Sequence, residues 1–166
     1  MNYAILDIEA TGGKRSQESI IEIAIFIFDG KKIIDQFSSL VNPKKAILPY
    51  VEKLTGINQK LLENAPIFSK IAPFILDLTK DCILIGHGIE FDYYILRLEF
   101  SRLNISFERK LLDTLTLSKK YFPKESSYSL GKLSHSFGIP IANRHRALGD
   151  AQATLELFKH LLKKME

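Results

Sequence analysis

The sequence predicts an α/β fold around a mixed β-sheet. Three strand-like stretches open the chain and are joined by short polar turns. After Asn42-Pro43 the apolar spacing becomes helical, and from Cys82 onward strands and helices alternate. A meander followed by that alternation is the layout of helices packed on a sheet with both parallel and antiparallel neighbours.

The elements follow in order. Tyr3–Glu9 is the first strand, apolar on both faces, as befits a strand covered on both sides. Side chains alternate, so Tyr3, Ile5, Asp7 and Glu9 share one face and Ala4, Leu6 and Ile8 the other. The polar Gly12 to Ser19 segment fits a turn into a second strand, Ile20–Phe28, with Ile21, Ile23, Ile25 and Ile27 on one face. Asp29-Gly30 is a hairpin signal leading into Lys31–Val41. Val51–Leu54 reads as a short helix stopped by Gly56, and Asn58 as the cap of another over Gln59–Asn64. Pro66 opens a helix over Ile67–Leu78, with Pro73 a candidate bend. Cys82–Ile85 is a buried fourth strand, Phe91–Leu103 an apolar-rich helix and Lys110–Asp113 a short fifth strand. Ser129–Phe137 is a helix ending at Gly138, with Pro140 beyond. The last helix runs from Ala147 to Lys164 with a stripe of Leu148, Ala151, Leu155, Phe158 and Leu162 that packs on the sheet.

The 166 residues suit one domain, and 46% hydrophobic with 25% charged residues is the balance of a soluble globule. No apolar run approaches the roughly 18 residues of a membrane span, and Met1-Asn2 leads straight into an acid-bearing strand rather than a signal peptide. The expected location is the cytoplasm. The single cysteine, Cys82, has no disulfide partner and reads as a small buried strand residue rather than a nucleophile. A net charge of +4 suits a polyanionic partner, although the basic pairs are scattered. Arg144, Arg146, Lys124 and Lys132 lie near the acidic motifs in sequence and would help the site accept phosphate.

Asp7 and Glu9 carry the sharpest signal. Two like charges at the end of a buried strand repel and are costly to desolvate, so a cation belongs between them, and a divalent metal supplies it. Asp92 begins a helix after Gly86-His87-Gly88-Ile89-Glu90-Phe91 and points along a core-facing side. Asp150 opens the last helix, with His145 five residues before it in Arg144-His145-Arg146-Ala147-Leu148-Gly149-Asp150. Each is weak alone, since an acid in a helix's first turn also suits the macrodipole. Together they place four acids and a histidine at the ends of elements that a compact sheet brings together.

These motifs, Asp7-Ile8-Glu9-Ala10-Thr11-Gly12, His87-Gly88-Ile89-Glu90-Phe91-Asp92 and His145-Arg146-Ala147-Leu148-Gly149-Asp150-Ala151, resemble those of the DnaQ-like 3′–5′ exonucleases of the DEDDh branch. That group includes the proofreading epsilon subunit of bacterial DNA polymerase III. Leu54-Thr55-Gly56-Ile57 and Tyr128-Ser129-Leu130-Gly131-Lys132-Leu133 are weaker matches, and the likeness runs along nearly the whole chain.

The resemblance implies a ribonuclease H-like five-stranded sheet of order 3-2-1-4-5 with the second strand antiparallel. It implies that Asp7, Glu9, Asp92 and Asp150 hold two divalent cations, Mg²⁺ or Mn²⁺, and that His145 is the general base. Hard carboxylate oxygens suit those ions, and histidine titrates near neutrality. Gly88 and Ala10 depart from the family's usual Asn and Thr, which leaves substrate preference open. Thr11 and Gly12 would admit the terminal nucleotide's backbone, or form an ordinary turn. Thr55 and Gly56 would wedge against the last base, or stop a helix. His87 ends a buried strand and reads as a supporting residue. Phe91, Tyr93 and Tyr94 would stack on bases, with core packing favoured for Phe91. The expected activity is release of nucleoside 5′-monophosphates from 3′ ends of single-stranded or frayed DNA in proofreading or repair. RNA or oligonucleotide trimming is the alternative, and a non-catalytic polymerase-binding subunit a third reading. With little sequence beyond the catalytic motifs, a free-standing enzyme or docking to a polymerase through a surface patch is expected.

Overall fold

The computed structural model describes residues 1–166. Strands β1 (Asn2–Ala10), β2 (Ile20–Phe28), β3 (Ile33–Leu40), β4 (Cys82–Gly86) and β5 (Lys110–Asp113) form one sheet in the order β3-β2-β1-β4-β5. β2 is antiparallel to both neighbours, and β4 and β5 run parallel to β1. This is the order the family resemblance implies.

The alternation in β1 sorts its side chains as expected. Ala4, Leu6 and Ile8 enter a core with Ile23, Ile25 and Ile27 of β2 and with helices α3 (Phe68–Leu78) and α4 (Ile89–Ser101). Ile5 enters the opposite core with Ala24, Phe26 and Phe28, beneath helix α7 (Ala147–Met165). Burial of this kind contributes about 1.5–3 kcal/mol per large aliphatic side chain. The C-terminal end of β1, with Asp7 and Glu9, therefore lies under the start of α7 and beside the start of α4.

Several boundaries differ from the sequence reading. A register shift after Glu9 pairs Ala10 with Ile20 and Glu9 with Glu22, so Ile21 leaves the expected isoleucine face. Ile21 instead packs with Ile47, Val51, Ile57 and Leu62 beneath α1 (Pro49–Thr55) and α2 (Gln59–Leu62). The Asp29 side chain accepts from both Lys31 N and Lys32 N at 2.8 Å, which lengthens the hairpin turn and delays β3 to Ile33. The loop after β1 contains a 3₁₀ turn at Arg15–Gln17. α3 runs through Pro73 and α4 begins two residues early at Ile89. Helix α5 (Thr114–Tyr121) was not anticipated; Asp113 caps it by accepting from Leu115 N. Ser129 caps α6 (Leu130–Ser136). On α7, Ala151, Leu155 and Phe158 pack on the sheet with Leu162 at the margin, but Leu148 faces outward and Ala147 takes the expected place. Cys82 is buried in the core, and burial pushes its thiol upward. No helix is long and apolar enough to cross a membrane.

Candidate active site

Asp7, Glu9 and Asp150 each place a carboxylate oxygen so that all three lie within 4.8 Å of one another. β1 supplies the first two from one face. α7 supplies the third from its first turn, where Asp150 is 3% exposed. Asp92, on the first turn of α4, is 6% exposed and stands outside that close triplet. Its negative charge nevertheless acts on Asp7, and those of Glu9 and Asp150 act on it.

The electrostatics favour a cation among these acids. Burial first, then Asp92, Glu9 and Asp150, raises Asp7 well above the usual carboxylate range. Burial, then Asp150 and Glu22, pushes Glu9 up to about 8. Burial also raises Asp92 and Asp150, although Arg144 and the backbone of His145 oppose the rise at Asp150. The Oδ2 atom of Asp7 is shut off from solvent and has no hydrogen-bond partner. A buried carboxylate oxygen left orphaned beside two more carboxylates fits a hard divalent cation bound by oxygen.

His145 lies on the loop before α7 in a left-handed conformation, φ 67°, and Asn143 shares that conformation at φ 52°. This double reversal turns the His145 amide to Asp150, which accepts from it at 3.2 and 3.3 Å. Nη1 of Arg144 donates to Asp150 Oδ2 at 2.5 Å and stands 3.4 Å from Nδ1 of His145. Gly149 lets this loop lie directly on α7, because a Cβ there would overlap the carbonyl oxygen of Ala142. Arg146, expected to help with phosphate, is instead held by Glu22, with Nε donating at 3.0 Å and Nη2 at 2.7 Å. Lys124 and Lys132 are exposed.

The remaining expected contacts divide. The amide of Ser19 donates to Thr11 Oγ1 at 3.1 Å, and Thr11 is 1% exposed, so its side chain is part of the loop. Thr55 Oγ1 donates to Val51 O and accepts from Ile57 N, which closes α1; Gly56 follows in the left-handed conformation at φ 76°. Ala10 is buried, and Tyr50 crowds the space over Gly12. His87 spans two elements: Nε2 donates to Tyr128 O at 2.7 Å, and Nδ1 lies 2.9 Å from the Thr114 hydroxyl. Burial holds His87 below its ordinary pKa. Core packing is overturned for Phe91, which is 44% exposed because it points away from the sheet at the start of α4. Tyr94 and Tyr93 are half-buried and lie under the guanidiniums of Arg15 (4.4 Å) and Arg97 (5.5 Å). Neither arginine has a carboxylate partner, and both line a cleft of about 540 Å³ with Glu90 and Leu111.

Two contributors escaped the sequence reading. Glu22 faces Glu9 across the strand pair; its only signal is a lone charge in an apolar strand. Asp113 accepts from Gly88 N at 2.8 Å and its charge raises Asp92; a cap before Thr114 would have drawn attention to it.

A sheet in this order, with acids from β1 and α7 meeting at the C-terminal end of its central strand and one from α4 nearby, has the ribonuclease H-like fold. The chain belongs to the RNase_T exonuclease family, whose model matches residues 4–158. It is 36% identical over 165 residues to the 3′–5′ exonuclease DinG of Staphylococcus aureus strain USA300, covering 99% of this chain. It spans only 18% of the length of that relative. Among solved structures, exonuclease X in complex with 5′ overhanging duplex DNA superimposes with a TM-score of 0.79 at 23% identity, covering 97% of this chain and 91% of that one. The nuclease domain of 3′hExo, a DEDDh family member bound to rAMP, gives 0.83 at 19%, covering 98% and 92%. Exonuclease I of E. coli with a dT13 oligonucleotide gives 0.86 at 18%, covering 99% and 41%. At these identities the structural likenesses show the fold.

Proposed function

We propose that residues 1–166 form one metal-dependent exonuclease domain that hydrolyses the terminal phosphodiester at 3′ ends, DNA favoured, and releases nucleoside 5′-monophosphates. The observation that carries this reading is the meeting of Asp7, Glu9 and Asp150 oxygens within 4.8 Å, with the orphaned Asp7 Oδ2 among them. Asp7, Glu9, Asp150 and the adjacent Asp92 would hold two divalent cations, Mg²⁺ or Mn²⁺. Such a pair lowers the pKa of a water and neutralises charge on the departing oxygen.

The chain's own residues do the rest. His145, half-buried beside Asp150, receives the proton from the attacking water. The His87 bridge holds the end of β4 against the loop before α6 and so steadies the start of α4, where Asp92 sits. Arg15 and Arg97 offer positive charge, and Phe91 an exposed ring, to a strand leaving the site. The intact acid set and the name carried by the 36% identical relative support catalysis over mere binding. Docking to a larger partner, a polymerase included, is compatible with this reading.

The test is incubation with Mg²⁺ or Mn²⁺ and 5′-labelled single-stranded DNA, duplex DNA and RNA, with Asp7→Ala as control. Stepwise shortening from the 3′ end, lost in the control, is the expected result. Binding without shortening would reject catalysis, and the ranking of the three substrates decides between DNA and RNA.

A further inference from the structure

We propose that Arg144 is a built-in counter-ion of the acid cluster: its guanidinium holds Asp150 while no cation is bound, and transfers to a phosphate of the nucleic-acid strand when cations take the acids. The inference rests on the metal-nuclease reading above and assigns a positioning role to a residue outside the acid and histidine set.

The geometry contrasts two neighbouring arginines. Arg146 binds Glu22 through two nitrogens, and the same carboxylate accepts from Ala147 N at 2.7 Å. That pair has no reason to open. Arg144 binds through one nitrogen only, at 2.5 Å; the two side chains are almost equally exposed, at 36% and 35%, so the difference lies in the number of bonds. The oxygen it holds belongs to one of the three carboxylates that converge within 4.8 Å. A guanidinium and a divalent ion competing for that carboxylate repel each other, so one displaces the other. Arg144 sits on an exposed loop flanked by the left-handed Asn143 and His145, and no other strong contact holds its head group. Once released, it presents five donors in a fork that matches phosphate oxygens.

The experiment uses the whole chain without nucleic acid first. Mn²⁺ binding is measured by titration calorimetry for wild type, Arg144→Gln and Arg144→Lys. Arg144→Gln is expected to bind Mn²⁺ about five- to tenfold more tightly, since the competing charge is gone, while Arg144→Lys stays near wild type. Unchanged or weaker Mn²⁺ binding by Arg144→Gln overturns the proposal. Steady-state kinetics on a short oligonucleotide should then show KM raised about tenfold in Arg144→Gln, with a smaller change in kcat. Tighter metal with unchanged KM overturns the transfer to phosphate. The Arg144 Nε–H resonance of the wild-type protein gives a measurement that needs no variant to fold. It should shift when Mg²⁺ is added, and a resonance that stays in place overturns release. Failure of wild type to shorten any nucleic acid would reject the nuclease reading and leave the metal titrations interpretable.

Discussion

Glu22 and Arg146 lie 124 residues apart in sequence and form a two-pronged ion pair that joins β2 to the N-cap of α7. The pair ties the chain to the sheet four residues before Asp150. Removal of the guanidinium by Arg146→Ala leaves Glu22 poorly solvated beside Glu9. The expected loss is about 2 kcal/mol, below the range for a fully buried pair because Arg146 keeps contact with water. Urea denaturation of the metal-free protein measures it; a change near zero would show that the helix is positioned by packing alone.

Stability of the metal-free protein should fall with rising pH. Folded Glu9 keeps its proton up to about 8, whereas the unfolded chain releases it near 4.5. Between those values the folded state binds more protons, so its advantage is full below about 4.5, declines towards pH 8 and then levels. Asp7, Asp92 and Asp150 act in the same direction. Thermal melts across this range in chelator should show the decline, and Mg²⁺ or Mn²⁺ should abolish it.

Asp7→Asn should separate stability from activity. It replaces an acid whose charge burial and three neighbouring carboxylates oppose with a group that never ionises, so at alkaline pH the metal-free melting temperature should rise by several degrees, about 1 kcal/mol or more. Turnover should fall to background. A lower melting temperature would mean that the cluster stabilises the fold even without its cation.

His145→Ala should retain Mn²⁺ affinity while losing about 10²- to 10⁴-fold in turnover. Calorimetry and a single-turnover assay on one preparation give both numbers. Parallel loss of affinity and rate would remove the histidine from proton transfer.

Arg15→Ala with Arg97→Ala should raise KM on long single strands and flatten its salt dependence, with little effect on a dinucleotide. An equal effect on both lengths would place the cleft off the strand's path.

Much of the architecture is legible because alternation in β1 and the Asp29-Gly30 turn are strong local signals. The acids on β1, α4 and α7 stand out for the same reason: charge interrupts apolar runs. What escapes is contextual. α5 fully buries only Thr114 and Ser118, small polar residues, and covers Leu117 and Tyr121 in part, so its apolar stripe is faint. The register shift that removes Ile21 from its face leaves no mark in composition. Leu148 looks like the first residue of a buried stripe, yet close approach of α7 to the sheet selects Ala147 and Ala151, and the leucine turns out. Glu22 reads as a lone charge until its partner arrives from the far end of the chain.

Gly149 carries one last implication. With only hydrogen at that position, the segment bearing the imidazole rests flat on the final helix. A methyl group there would prise the segment up like a flap. The imidazole would rise with it, while Asp7 and Glu9, built into the strand beneath, would stay put. Gly149→Ala should therefore yield a protein that captures its ions and hardly turns over, its chemistry undone by one carbon atom.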